Sequence, residues 1–127
     1  MKLLLDSHAL IWFLAGSPRL PQRLRQTLAE AEIVISAVTA WEITAKAARG
    51  KWPEAAPIAA MFDDLLQTHD YTALPITIRH AQVAGFLPGP HRHPFDRMLA
   101  AQAQVEALPL VTADPVFSDV LGLHVIW

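Results

Sequence analysis

Three observations predict an α/β fold built on a central, mostly parallel sheet of about five strands. Short leucine-rich or β-branched runs alternate with helical segments from one end of the chain to the other. One of those runs, Ile33-Val34-Ile35, is apolar at every position, as a strand buried on both faces must be. The chain is 127 residues long, 53% hydrophobic and 17% charged, enough apolar material for one core and one domain spanning 1–127.

The elements follow in order. Lys2–Leu5 is the first strand and ends at Asp6. Ser7 is placed to cap a helix carrying Leu10, Ile11, Trp12 and Leu14, which stops at Gly16. After Pro18, Pro21 opens the next helix, with Leu24 and Leu28 one turn apart. Ile33–Ile35 is the second strand, and Ser36 caps a helix reaching about Arg49 and closing at Gly50. On that helix Val38, Trp41 and Ala45 read as a core stripe, beside a face carrying Glu42, Lys46 and Arg49. Pro53 and Pro57 precede a helix over Ile58–His69, and Tyr71–Leu74 is the third strand. Thr77 caps a helix reaching Val83 and Ala84. The segment Leu87–Pro94 is too rich in proline to be anything but a loop. A helix over Phe95–Ala107 turns Phe95, Leu99, Ala103 and Val105 inward, and Leu108–Thr112 and Leu123–Ile126 complete the sheet.

Composition excludes several classes. There is no cysteine, hence no disulfide framework and no thiolate metal site, and a reducing cytoplasm is a suitable location. The apolar runs are too short to span a bilayer, and Asp6 interrupts the first one too early for a signal peptide. A net charge of −2 gives no overall basic footprint, so contact with nucleic acid must use local arginines or a bridging metal.

The acids are informative by position. Asp6 ends the first strand, Glu42 lies one to two turns into the helix after the second, Asp96 falls in the first turn after the proline-rich loop, and Asp114 follows the fourth strand. Ligands of open parallel sheets bind at the carboxyl ends of the strands, and right-handed crossovers bring helix starts to that same edge. Four acids remote in sequence thereby become neighbours. Carboxylates so crowded repel and take up protons unless a cation compensates them. Oxygen-only ligands select Mg²⁺ or Mn²⁺ over zinc. Such an ion activates water and neutralises charge on a phosphodiester under attack. Taken singly, each acid has a plainer role: Asp6 as a helix cap, Glu42 as the partner of Lys46, Asp96 as a dipole complement, Asp114 before Pro115 as a turn former.

The same residues carry a family resemblance. The segments Leu4-Leu5-Asp6-Ser7-His8-Ala9-Leu10-Ile11-Trp12, Ile35–Ile43 with Lys46 and Gly50-Lys51, Leu74-Pro75-Ile76-Thr77, His91–Ala103, Leu110–Pro115 and Val125-Ile126-Trp127 occur in order. With these, the chain resembles PIN-domain ribonucleases of the VapC toxin type over essentially its whole length. The resemblance implies a PIN-like three-layer α/β/α sandwich and a Mg²⁺- or Mn²⁺-dependent endoribonuclease that cleaves RNA with a metal-activated water. It places the family's metal-binding, catalytic acids on Asp6, Glu42, Asp96 and Asp114, and the hydroxyl residue that accompanies the last acid on Thr112. It also implies a cognate antitoxin and a toxin homodimer. Many relatives carry an acid where this chain has His93.

Other residues invite weaker readings. His91 and His93 lack further ligands at transition-metal spacing and read as loop contacts or solvent-exposed side chains. His8, beside Asp6, reads either as a side chain reaching the pocket or as a packed, hydrogen-bonded histidine. Lys46, Lys51, Arg92 and Arg97 are candidates to line an RNA path or are surface charge. Trp52 and Trp127 are candidates for a partner surface. Two other functions compete with the nuclease: a non-catalytic PIN-like RNA- or protein-binding module, which would be expected to have lost an acid, and an aspartate-dependent phosphatase-like domain. The phosphatase wants a second acid where His8 stands.

Overall fold

The computed structural model describes residues 1–89, 93–120 and 122–127. His91 and Arg92, with their candidate loop contacts, lie outside the described residues. The five strands are β1 (Lys2–Leu5), β2 (Glu32–Ser36), β3 (Thr72–Leu74), β4 (Leu110–Val111) and β5 (Val125–Ile126). They pair in the order β3-β2-β1-β4-β5, and every pairing is parallel. The register sets Leu4 opposite both Val34 and Leu110. β1 is the central strand, and Leu3, Leu4 and Leu5 are fully buried, which is why that run is apolar on both faces.

Alternation along β1 divides the core. Leu3 and Leu5 join Ile33, Ile35 and Val111 on one face, against Leu10 and Ile11 of α1 (Ser7–Ala15) and Leu24 and Leu28 of α2 (Gln22–Glu30). Leu4, Val34 and Leu110 point to the other face, against Leu99, Ala100 and Ala103 of α7 (Pro94–Glu106) and Phe117. Helices on both faces of a parallel sheet make the predicted three-layer α/β/α sandwich. Among the described residues no helix is long and apolar enough to cross a membrane.

The local signals worked where they rest on backbone chemistry. Gly16 (φ +66) and Gly50 (φ +67) end helices in the left-handed region that favours glycine. The hydroxyl of Ser36 accepts from the Val38 amide at the start of α3 (Ala37–Ala48), and Thr77 with His80 forms a capping box on α6 (Ile78–Phe86). Three readings need correction. Asp6, not Ser7, caps α1, accepting from the Ala9 amide. The helix predicted over Ile58–His69 is two, α4 (Ala56–Ala60) and α5 (Phe62–Thr68), with a break at Met61. Ile58 and Ala59 before the break and Phe62 and Leu66 after it all pack on the first core cluster.

The third correction concerns the tryptophans. Trp41 is 61% exposed and meets Phe95 edge-on at 4.7 Å. The buried residues of α3 are Val38, Thr39, Glu42 and Ile43, a stripe that leaves position 41 on the rim. Trp52 and Trp127, the candidates for a partner surface, are half-buried against the first cluster. On α7, Leu99 and Ala103 are buried, whereas Phe95 and Val105 are only half-buried.

Candidate active site

From β1 the chain steps one way across the sheet to β2 and β3, then returns to the other side of β1 for β4 and β5. The strand order reverses at the β1–β4 boundary, where the carboxyl ends of an open parallel sheet part to form a crevice. Asp6 and Thr112 stand at that point. The Asp6 amide continues the ladder by donating to the Val111 carbonyl (3.1 Å), and the Thr112 amide donates to the Ile126 carbonyl (3.1 Å). The Asp6 carboxylate, 7% exposed, accepts the Ala9 amide on Oδ1 (2.8 Å) and the Thr112 hydroxyl on Oδ2 (2.5 Å). Its role as a cap and its place at the sheet edge are therefore one arrangement.

Glu42 reaches the same place from α3. Its Oε1 accepts the Ser7 hydroxyl (2.5 Å), and its Oε2 pairs with the Lys46 ammonium (2.9 Å). The pairing with Lys46 was foreseen, but the carboxylate is buried rather than on a solvated face. Ser7 ties the first turn of α1 to α3. Sequence reasoning used it only as a cap; the missed signal was a short hydroxyl residue directly after a strand-end acid, facing inward on an apolar helix.

Asp96 sits half-buried in the first turn of α7, with Oδ2 3.6 Å from His93 Nδ1. Asp114 is exposed. It caps the short 3₁₀ turn Pro115–Asp119 by accepting the Val116 amide (3.0 Å), and its own amide donates to Thr112 Oγ1 (3.1 Å). Thr112 thus bridges Asp6 and the Asp114 backbone. The structure brings Asp6 and Thr112 into direct contact, with Glu42 joined to the adjacent Ser7. Asp96 acts on Asp6 through charge, and Asp114 lies at the rim.

The electrostatics follow from burial first and from neighbouring charge second. Burial, reinforced by the Glu42 and Asp96 charges, raises the Asp6 pKa from 3.8 to about 6 despite the bonds from Thr112 and Ala9 that oppose it. Burial works to raise Glu42 as well, but the Ser7 and Lys46 hydrogen bonds and the Lys46 charge outweigh it and hold that carboxyl below its ordinary value. His8, on the first turn of α1, is lowered by burial and by Lys46, while Glu42, Asp114 and Asp96 pull the other way. Among the described residues no three Asp, Glu or His side chains stand close enough to form an ion's ligand set. The donor chemistry nevertheless suits a hard cation: every predicted ligand offers oxygen, and Asp6 carries a charge its surroundings do not compensate.

The remaining candidates divide. Lys46 is held at Glu42, with its ammonium 5.5 Å from the Trp52 ring centre. Lys51 is exposed. Arg97, proposed for an RNA path, points into the fold and donates to the carbonyls of Ala84 (2.7 Å) and Leu87 (2.8 Å). His8 makes ring contacts and, among the described residues, no hydrogen bond, contrary to expectation. A cavity of about 570 Å³, lined by Phe13, His69 and Tyr71 among others, opens at the opposite edge of the sheet and includes none of the predicted site residues.

Comparison with solved structures finds the same architecture elsewhere. VapBC2 from Rickettsia felis, bound to a DNA fragment from its promoter, is similar at 18% identity and a TM-score of 0.74, over 99% of this chain and 98% of that one. DNA-bound VapBC from Salmonella typhimurium is similar at 22% identity and a TM-score of 0.74, over 99% and 97%. FitAcB from Neisseria gonorrhoeae is similar at 18% identity and a TM-score of 0.73, over 100% and 97%. No curated protein sequence matches the chain. The profile of the PIN domain matches residues 3–123, nearly the whole length, and the chain accordingly belongs to the PIN domain family.

Proposed function

We propose that the chain is the toxin of a VapC-type toxin–antitoxin pair, a single catalytic domain that hydrolyses RNA phosphodiester bonds with Mg²⁺ or Mn²⁺ in the cytoplasm. One observation carries this reading: a buried aspartate at the β1–β4 switch point, hydrogen-bonded to Thr112, with its pKa raised by burial and by the charges of Glu42 and Asp96. Asp6 and Asp96, with Glu42 and Asp114, would hold the ion. The cation would neutralise the crowded carboxylates and the charge gathering on the phosphate oxygens, and would activate the attacking water. Thr112 fixes the direction of Asp6 by donating to Oδ2. Ser7 does the same for Glu42, and Lys46 offsets the Glu42 charge that would otherwise repel a phosphate.

The Rickettsia and Salmonella structures of like fold are VapBC complexes, which supports a cognate antitoxin as partner. Exposed Ile78 (88%) and Phe86 (81%) on α6 support a homodimer that covers them. A single monomeric species in light scattering at micromolar concentration would argue against it.

The test is cleavage of single-stranded RNA by the purified protein with Mg²⁺, with Mn²⁺ and with chelator, alongside Asp6→Asn and Asp96→Asn. Cutting should require metal and fall by at least about a hundredfold in either variant. Cleavage that survives chelation, or that both variants retain, rejects the mechanism. Expression without antitoxin should arrest bacterial growth, and Asp96→Asn should relieve the arrest.

A further inference from the structure

We propose that the imidazole of His8, backed by Trp52 and Trp12, is a shelf on which one base of a single-stranded RNA stacks beside the acid cluster. The inference rests on the nuclease reading above and specifies the form of its substrate. His8 is exposed, yet its ring is not free to wander. It lies 4.5 Å from the Trp52 ring at an interplanar angle of 34°, and 5.5 Å from Trp12 at 62°. Trp12 is braced in turn by Trp127, edge-on at 5.8 Å. Four rings from α1, the segment after α3 and the end of β5 therefore form one wall, of which the histidine is the most exposed member.

That wall borders the predicted site. His8 follows Asp6 by two residues and lies within the electrostatic reach of Glu42, Asp96, Asp114 and Lys46. Lys46 joins Glu42 to the Trp52 ring, so the wall and the acids share a side chain.

The contrast with His80 separates this role from ordinary packing. His80 is fully buried and both its ring nitrogens are engaged, Nδ1 accepting the Thr77 amide (3.0 Å) and Nε2 meeting Glu106 (2.8 Å). His8 is exposed, makes no hydrogen bond among the described residues, and is held only by rings. An aromatic surface held in this way loses little rotamer freedom when a base lands on it, and any base offers a face to stack. Bases inside a duplex have no free face, so the shelf selects single strands. Lys46, paired with Glu42, and Arg19, paired with Glu54 and with its guanidinium 5.9 Å from the Trp12 ring centre, offset the acids along the wall that would otherwise repel the phosphates flanking the stacked base.

Binding of a fluorescent single-stranded RNA, read by anisotropy in Mg²⁺ on a cleavage-silenced Asp96→Asn background, tests the shelf. Adding His8→Ala should weaken binding on the order of tenfold, the usual cost of losing one base stack. His8→Phe, which keeps an aromatic face but cannot titrate or hydrogen-bond, should restore most of it. With an RNA made abasic at the contacted nucleotide, the difference between the His8→Ala variant and its parent should vanish; a purely structural role would leave it intact. Equal affinity for His8→Ala and parent, failure of His8→Phe to rescue, or a difference that persists on abasic RNA overturns the shelf. If the unaltered protein cuts RNA while His8→Ala binds and cuts equally well, the shelf alone fails. If the unaltered protein neither binds nor cuts RNA, the nuclease reading fails first.

Discussion

Asp6 is a strand end, a helix cap and a buried charge at once, and these roles oppose one another. As an ionised cap it anchors α1; as a carboxylate out of water beside Glu42 and Asp96 it costs stability. Its pKa, about 6 in the fold against 3.8 ordinarily, sets the sign. A group raised in the folded state lends its stability below pH 4 and loses it as the pH climbs through 6. At neutral pH the metal-free protein therefore carries a penalty that Asp6→Asn removes. Thermal melts in chelator at pH 7 should show the variant more stable by about 1–3 kcal/mol, the gain disappearing by pH 4. Equal melting at pH 7 would refute the assignment. Ser7→Ala should act oppositely, costing about 1–3 kcal/mol because Glu42 Oε1 is left buried without its donor. At this scale the sequence foresaw the pairing of Glu42 with Lys46 but not the Ser7 hydroxyl on the same carboxylate. Asp6, Glu42 and Thr112 could be singled out from strand ends and motif. Ser7 was read as a cap because a hydroxyl one residue past a strand end serves either purpose. Trp41 was misplaced because i, i+3 spacing from Val38 fits a helical stripe whose centre lies nearer Thr39 and Ile43.

Between elements, Arg97 shows how a charged residue beside a site acid can serve the scaffold. Its guanidinium closes the carboxyl end of α6 by donating to the Ala84 and Leu87 carbonyls, while its neighbour Asp96, in the same turn of α7, acts on Asp6 through charge. Arg97→Ala should open the 84–89 segment, seen as faster amide exchange there, and lower stability by about 1–3 kcal/mol. RNA cleavage should fall less than in Asp96→Asn; protection that stays unchanged would contradict the clamp. Element type was legible from periodicity, and element length was not. The strand predicted over Leu108–Thr112 shrinks to Leu110–Val111, because Pro109 has no amide to donate, although its carbonyl still receives Leu4 (3.0 Å). The break at Met61 had no proline or glycine to announce it; tertiary packing of Phe62 and Leu66 decides it.

Across the whole molecule, strand order is what brings Asp6 and Thr112, remote in sequence, into contact. Local patterns say that strands exist, but the position of β4 against β1 comes from which faces bury one another. Only that placement brings residue 112 to residue 6. A divalent ion held by this assembly should stabilise the fold as a whole, by about 2.7 kcal/mol at a hundred times its Kd. Mg²⁺ or Mn²⁺ titrated into the native protein should raise its melting temperature, with little change in Asp6→Asn. Identical rises in both would place the ion elsewhere. The meeting of Trp12 with Trp127, set 5.8 Å apart at 65°, has a consequence of its own. Two indoles so close and so inclined couple their excited states, giving the chain an intrinsic chiroptical signature. Its fading under heat or denaturant would report, without any dye, the moment the last strand lets go of the first helix.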